Sequence, residues 1–193
     1  MVIDFKKQVS YMQDMGYTFS PAVIHIQVPD AKNLLWRGIQ YFCKDAAKWQ
    51  PEYEEVAQWL ADNKGRGLLC LGTCGRGKSL ICSKILPLLL NYYYRLNLSI
   101  YDAQTMNSKP DEILSRRLLL IDDLGTENVS VKYGEKRMVF PELADATEKQ
   151  GKLLIVTTNL SLRELADKYG QRTIDRLRAT TKAVLFQGES MRE

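Results

Sequence analysis

The chain has 193 residues, 45% of them hydrophobic and 26% charged, with a formal net charge of +4 and a pI near 8.8. This is ordinary for a soluble globular protein and suits one compact domain plus a modest extension. No run approaches the roughly twenty apolar residues of a membrane span, MVIDFKKQVS is no signal peptide, and four cysteines with one histidine do not make a structural zinc site. The slight basic tilt is compatible with nucleic acid without requiring it.

Residues 1–30 are mixed, with Pro21 and Pro29 breaking any long helix, and read as an N-terminal extension; residues 31–193 read as the core with a helical lead-in. Residues 31–49 carry Leu34, Leu35, Ile39, Phe42 and Ala46 at helical spacing. Pro51 opens a second helix, PEYEEVAQWLADN, whose early glutamates suit the positive end of the helix dipole. Leu68 to Leu71 reads as a short buried strand, followed by a glycine-rich loop and a helix from about Lys78 to Arg95, kinked by Pro87. Further strands are predicted at Leu98 to Tyr101, Leu118 to Ile121, Leu153 to Thr157 and Ala183 to Phe186. Helices are predicted at 134–150 and 161–178, and Met106 to Pro110 reads as a loop. Short apolar strands alternating with helices predict an α/β fold: a parallel sheet with helices on both faces, which gathers ligands at the carboxyl ends of its strands.

Gly72, Thr73, Cys74, Gly75, Arg76, Gly77, Lys78 and Ser79 match G-x-x-x-x-G-K-[ST] in full, between a predicted strand and a predicted helix. Glycines let successive amides turn inward onto phosphate oxygens, and the helix beginning there, with Leu80 in its first turn, presents its positive end to the same anion. Lys78 is placed to reach the β- and γ-phosphates and Ser79 to ligate Mg2+. The apolar strand Leu118 to Ile121 delivers Asp122 and Asp123 beside that loop. Asp122 suits the magnesium ion, and Asp123 stands where many such enzymes carry the glutamate that polarises the attacking water. The strand ending in Thr157 and Thr158 repeats the design and offers Asn159 to the γ-phosphate or the water, though Asn159 also suits a helix N-cap. Three of the cysteines, Cys70, Cys74 and Cys82, fall in or beside the loop and read, with Cys43, as buried free thiols of a reducing cytoplasm.

Together these residues resemble an AAA+ P-loop NTPase core, more narrowly the group of DnaC-type helicase loaders and IstB-type transposition helpers. The segments from Tyr169 to Leu177 (YGQRTIDRL) and from Phe186 to Arg192 (FQGESMR) are similar to that group's Y-G-x-R-x-x-D-R-L and F-x-G-x-S-x-R, and the resemblance covers about residues 50–193. It implies ATP with Mg2+ as cofactors, hydrolysis of ATP, an ATP-dependent homo-oligomer, and a cytoplasmic role with a replicative helicase as partner and DNA, single-stranded or not, as a second. It also implies no separate helical lid.

An arginine that reaches a neighbour's γ-phosphate falls on Arg176, with Arg172 as second choice, and Arg192 would sense nucleotide within its own chain. In the initiator-type relatives an extra element between the second and third strands grips single-stranded DNA; here that segment, Asp102 to Arg117, is short and leaves only Arg116 and Arg117 for the purpose. Trp36, Tyr41, Phe42, Trp49, Tyr53 and Trp59 read as core before they read as a partner surface, and the stretch from His25 to Val28 is a candidate for flanking the adenine. A transposition helper, or a nucleotide-gated assembly switch with little turnover, has the same motif set.

Overall fold

The computed structural model describes residues 3–127, 131–132, 135–136 and 138–191. Five parallel strands form one sheet in the order β2-β3-β6-β1-β7: β1 (Gly67–Gly72), β2 (Ser99–Asp102), β3 (Leu118–Leu124), β6 (Leu153–Thr158) and β7 (Thr181–Phe186). A separate antiparallel pair joins β4 (Val131–Lys132) to β5 (Glu135–Lys136).

The near-continuous apolar runs of β1, β3 and β6 are explained by two cores, one on each face. Leu68, Cys70, Leu118, Leu120, Leu153 and Ile155 point to one side, where α2 (Ala31–Cys43), α3 (Pro51–Ala61) and the helix after the glycine loop cover them. Leu69, Leu71, Leu119, Ile121, Leu154 and Val156 point to the other, under α8 (Val139–Gln150), α9 (Leu162–Tyr169) and α10 (Gln171–Thr180). The helix after the loop runs unbroken through α4 (Lys78–Leu80), a π-helical stretch Ile81–Ile85, and α5 (Leu86–Tyr94). The disturbance expected from Pro87 thus takes the form of a wide turn just upstream of it.

Several expectations are corrected. Met106 to Pro110 is not a loop: α6 (Ala103–Ser108) is capped by Asp102, which accepts from the Thr105 amide at 2.6 Å, and α7 (Pro110–Ser115) starts with proline in its first turn. Met106 and Ile113 give these short helices their buried anchors. Residues 135–136 belong to the small antiparallel pair, so the helix expected from 134 is α8, from Val139. The helix expected over 161–178 is two, separated at Gly170 with φ +87°. Of the aromatic set, Tyr53 and Trp59 are in the core and Trp36, Phe42 and Trp49 pack against it, whereas Tyr41 is exposed.

The first thirty residues divide. Helix α1 (Phe5–Asp14), capped by Asp4, buries none of its residues. Further on, Ile26 and Val28 are inserted in the core, Ile26 held by Asn63 and Val28 by the Leu60 carbonyl. The buried Asn63 side chain accepts from the Ile26 amide at 2.8 Å and the Gly65 amide at 3.1 Å, and donates to the carbonyls of Ile24 and Arg66 at 3.0 and 3.1 Å. An Asn63→Ala chain loses all four bonds and strands the buried Ile26 amide. It is expected to lose about 3 kcal/mol, roughly 6–12 °C in melting temperature, with no effect on nucleotide affinity once folded. Thermal unfolding followed by circular dichroism checks this.

Candidate functional site

The strand order sets the site. Adjacent β3, β6 and β1 run parallel, so their carboxyl ends open together, with Leu71 of β1 paired to Thr158 of β6 and Leu124 of β3 paired to the same residue. The glycine loop, Asp122 and Asp123, and Asn159 therefore converge.

The loop is built by close approach. At Gly72 (φ +114°) a Cβ would lie 2.1 Å from the Phe186 carbonyl oxygen, and at Gly77 (φ +87°) it would lie 2.5 Å from the Tyr53 hydroxyl. Only glycine satisfies both the backbone and the space. Lys78, the first residue of α4, is buried, and its ammonium uses all three donors: to the carbonyls of Gly72 at 2.7 Å and Thr73 at 2.8 Å, and to Asn159 Oδ1 at 2.9 Å. Burial pulls its pKa below the ordinary lysine value, against the opposing pull of Cys74, Cys70, Asp123 and Asp122.

Ser79 donates to Asp122 Oδ1 at 3.0 Å, and the Thr157 hydroxyl donates to the same oxygen. Thr157 also accepts from the Asp123 amide at 2.9 Å, fixing a bulge where the β3–β6 register shifts and Asp123 takes φ +53°. A non-glycine residue in that conformation is uncommon, and here a neighbouring strand imposes it. Among the described residues no three His, Cys, Asp or Glu side chains group as metal ligands. One carboxylate beside one hydroxyl is nevertheless the donor set that suits Mg2+ whose other ligands are phosphate and water, so Ser79 and Asp122 fit it.

Asn159 is not the cap of the following helix. Ser161 caps α9 in a reciprocal box with Glu164, which leaves Asn159 free to face Lys78. Beyond the loop, a cleft of about 250 Å3 extends between Gly77, Ser79, Leu80, Asp123 and Asn159 on one side and Ile39, Cys43, Ala46, Lys48 and Tyr53 on the other. The segment from His25 to Val28 takes no part in it. Ile26 and Val28 bond to Asn63 and Leu60, before the amino end of β1, and the cleft is lined instead by residues at the ends of α2 and α3. Cys74 is exposed at the loop, contrary to the expectation of a buried thiol, while Cys70 and Cys82 are buried with sulfurs 3.7 Å apart.

Arg76 departs from the simple phosphate-loop reading: its side chain turns away from Lys78 and is buried against Glu52. Arg176 pairs within its own chain, with Nε 2.6 Å from Asp145 Oδ1 and 3.2 Å from Glu148 Oε2 on α8, whereas Arg172 is largely exposed. Arg192 lies outside the described residues. Arg116 is tied to Tyr101 and Glu112, and Arg117 donates to the Ala22 carbonyl at 2.6 Å, so both serve contacts of the fold. Thr157, Glu52 and Tyr53 are site residues that pattern reading passed over. A threonine at the tip of a buried strand was the only available signal for the first.

No family model and no curated relative matches the chain. Solved structures do. The crystal structure of DnaI is 22% identical, with 85% of this chain and 86% of that one covered at a TM-score of 0.53. That of the DnaC helicase loader is 18% identical, with coverages of 83% and 93% and a TM-score of 0.53. AMPPCP-bound DnaA from Aquifex aeolicus is 14% identical, with coverages of 72% and 48% and a TM-score of 0.54. The chain shares the α/β fold of these structures, a parallel sheet covered by helices on both faces. No helix among the described residues is long and apolar enough to cross a membrane.

Proposed function

We propose that this chain binds ATP with Mg2+, hydrolyses it, and acts in DNA replication in the cytoplasm by loading a replicative helicase, as an ATP-dependent homo-oligomer that also meets DNA. The observation that carries the reading is the convergence of Lys78, Ser79, Asp122 and Asn159 at the carboxyl ends of the central strands, on the fold shared with DnaI and the DnaC helicase loader. The Lys78 ammonium, already desolvated and oriented, exchanges its two loop carbonyls for β- and γ-phosphate oxygens. Amides of residues 74–79, at the start of α4, hold the anion. Ser79 and Asp122 would hold Mg2+, which would supply positive charge beside the phosphates. Asn159 orients the γ-phosphate or the water, and Asp123, which faces the cleft, accepts the water's proton.

A nucleotide-gated switch with slow turnover is the second reading, favoured by the shortness of Asp123 and its fixed left-handed backbone. Turnover measured with and without single-stranded DNA and a replicative helicase separates the two. The first reading expects stimulation by assembly and a loss of about 100-fold in Asp123→Ala. Negligible turnover in every condition, unchanged by the substitution, establishes the switch. A transposase retained in place of a helicase, when the chain is immobilised with an ATP analogue, redirects the reading to a transposition helper.

A further inference from the structure

Arg76 occupies one of the four unspecified positions of the glycine loop, where any residue type satisfies the motif, yet its guanidinium is nine-tenths buried. Nε donates to Glu52 Oε1 at 2.9 Å, Nη2 lies 2.8 Å from the same oxygen and donates to Gln50 Oε1 at 2.8 Å, and Nη1 donates to the Glu189 carbonyl at 3.3 Å. Glu52 is equally buried, so the pair is desolvated on both sides, and losing either partner leaves a stranded charge. Around it the loop backbone is bolted to two other parts of the chain. Tyr53, whose phenol burial and Glu52 push up to about 12, keeps its proton and donates a hydrogen bond to the Arg76 carbonyl at 3.0 Å. The Met191 amide donates to the Gly75 carbonyl at 3.0 Å, and the Thr73 amide to the Phe186 carbonyl at 2.9 Å. Gly75 (φ +79°) has no room for a Cβ, which would lie 2.0 Å from the Ser190 hydroxyl oxygen.

We infer that Arg76 is a positioning residue and not a phosphate ligand: with Glu52 it locks the glycine loop to the start of α3 and to residues 186–191, so that nucleotide binding and the order of that C-terminal segment are coupled. The inference rests on the reading of residues 72–79 as a phosphate site. Coupling of this kind is reciprocal. A loop set by the segment binds the triphosphate without reorganising, and the bound triphosphate in turn holds the segment down. Residues 186–191 thereby become a part of the surface whose order reports the nucleotide state.

The test compares the parent with Arg76→Ala, Arg76→Lys and Glu52→Gln, measuring Mg·AMPPCP affinity by calorimetry well below each melting temperature and amide exchange of residues 187–191 with and without that ligand. The latch expects Arg76→Ala to weaken binding by about tenfold or more and to abolish the protection that ligand confers on 187–191. Glu52→Gln moves both readings the same way by less, and Arg76→Lys falls between. Weakened binding in Arg76→Ala with Glu52→Gln binding like the parent would instead mean that the guanidinium touches the nucleotide, and overturns the inference. A lower melting temperature with affinity and protection unchanged also overturns it, because Arg76 then serves the fold alone. A parent that binds no nucleotide removes the phosphate-site reading, and the exchange of 187–191 without ligand still decides whether Arg76 holds the segment.

Discussion

Lys78→Ala is expected to weaken Mg·ATP binding by 10²-fold or more while leaving the protein folded. Two charge-assisted bonds to phosphate, each about 1.5–3 kcal/mol, disappear with the ammonium, and ~3 kcal/mol is already about 150-fold in affinity. The fold has less at stake, because the three acceptors freed belong to half-buried Gly72 and to the exposed Thr73 and Asn159, which water can reach. The sign of the pKa shift points the same way. A lysine whose folded pKa is depressed is a cost to the fold while charged, at neutral pH, and the cost fades as pH rises through the folded pKa. Lys78→Met, which keeps the stem and removes the charge, is therefore expected to melt no lower than the parent at neutral pH. Calorimetry of nucleotide binding beside thermal unfolding checks both statements. Parent-like affinity in a folded Lys78→Ala chain would remove the phosphate site altogether.

What pattern reading could reach in this chain depended on how locally each feature is determined. The buried strands β1, β3 and β6 were legible because four consecutive apolar residues in each, bounded by turn or polar residues, leave few alternatives, and their tips could be joined into a site because parallel strands end on the same side. Met106 to Pro110 misled because asparagine, serine and proline are turn residues, and only the burial of Met106 and Ile113 shows two short helices there. The left-handed backbone of Asp123 follows from a hydroxyl on β6 that captures its amide, 34 residues downstream, and two adjacent aspartates carry no sign of it.

Arg76 is the same lesson on a longer scale. Motif spacing assigned it to the phosphates, but its partners are Glu52, 24 residues before it, and the Glu189 carbonyl, 113 after. The side of the cleft facing the loop was missed for a related reason. Helix α2 stops at Cys43, where Lys44 turns to φ +49° into a 3-10 turn, Lys44–Ala46, and that break brings Ala46 and Lys48 round to face the loop.

Arg176→Ala is expected to leave ATP binding intact and to lower assembly-stimulated hydrolysis by about 10³-fold, the range in which a guanidinium delivered to the γ-phosphate acts. Arg176 stands on α10, 2.6 Å from Asp145 and 3.2 Å from Glu148, so its ion pairs among the described residues are with α8 and not with the glycine loop. A group that serves another subunit's phosphate has to be presented away from its own, and two carboxylates from α8 can hold the guanidinium at a fixed height on that face. Asp145→Asn separates presentation from delivery. If Asp145 aims Arg176, its loss lowers stimulated turnover in part. If it restrains Arg176, stimulated turnover rises. Arg172, also within 3.8 Å of Asp145 but largely exposed, is the control, since Arg172→Ala is expected to change turnover far less. Turnover plotted against protein concentration reads all three. A dilute, monomeric chain that hydrolyses ATP as fast as a concentrated one and ignores Arg176→Ala would rule out hydrolysis between subunits, and the proposal would contract to a site that works alone.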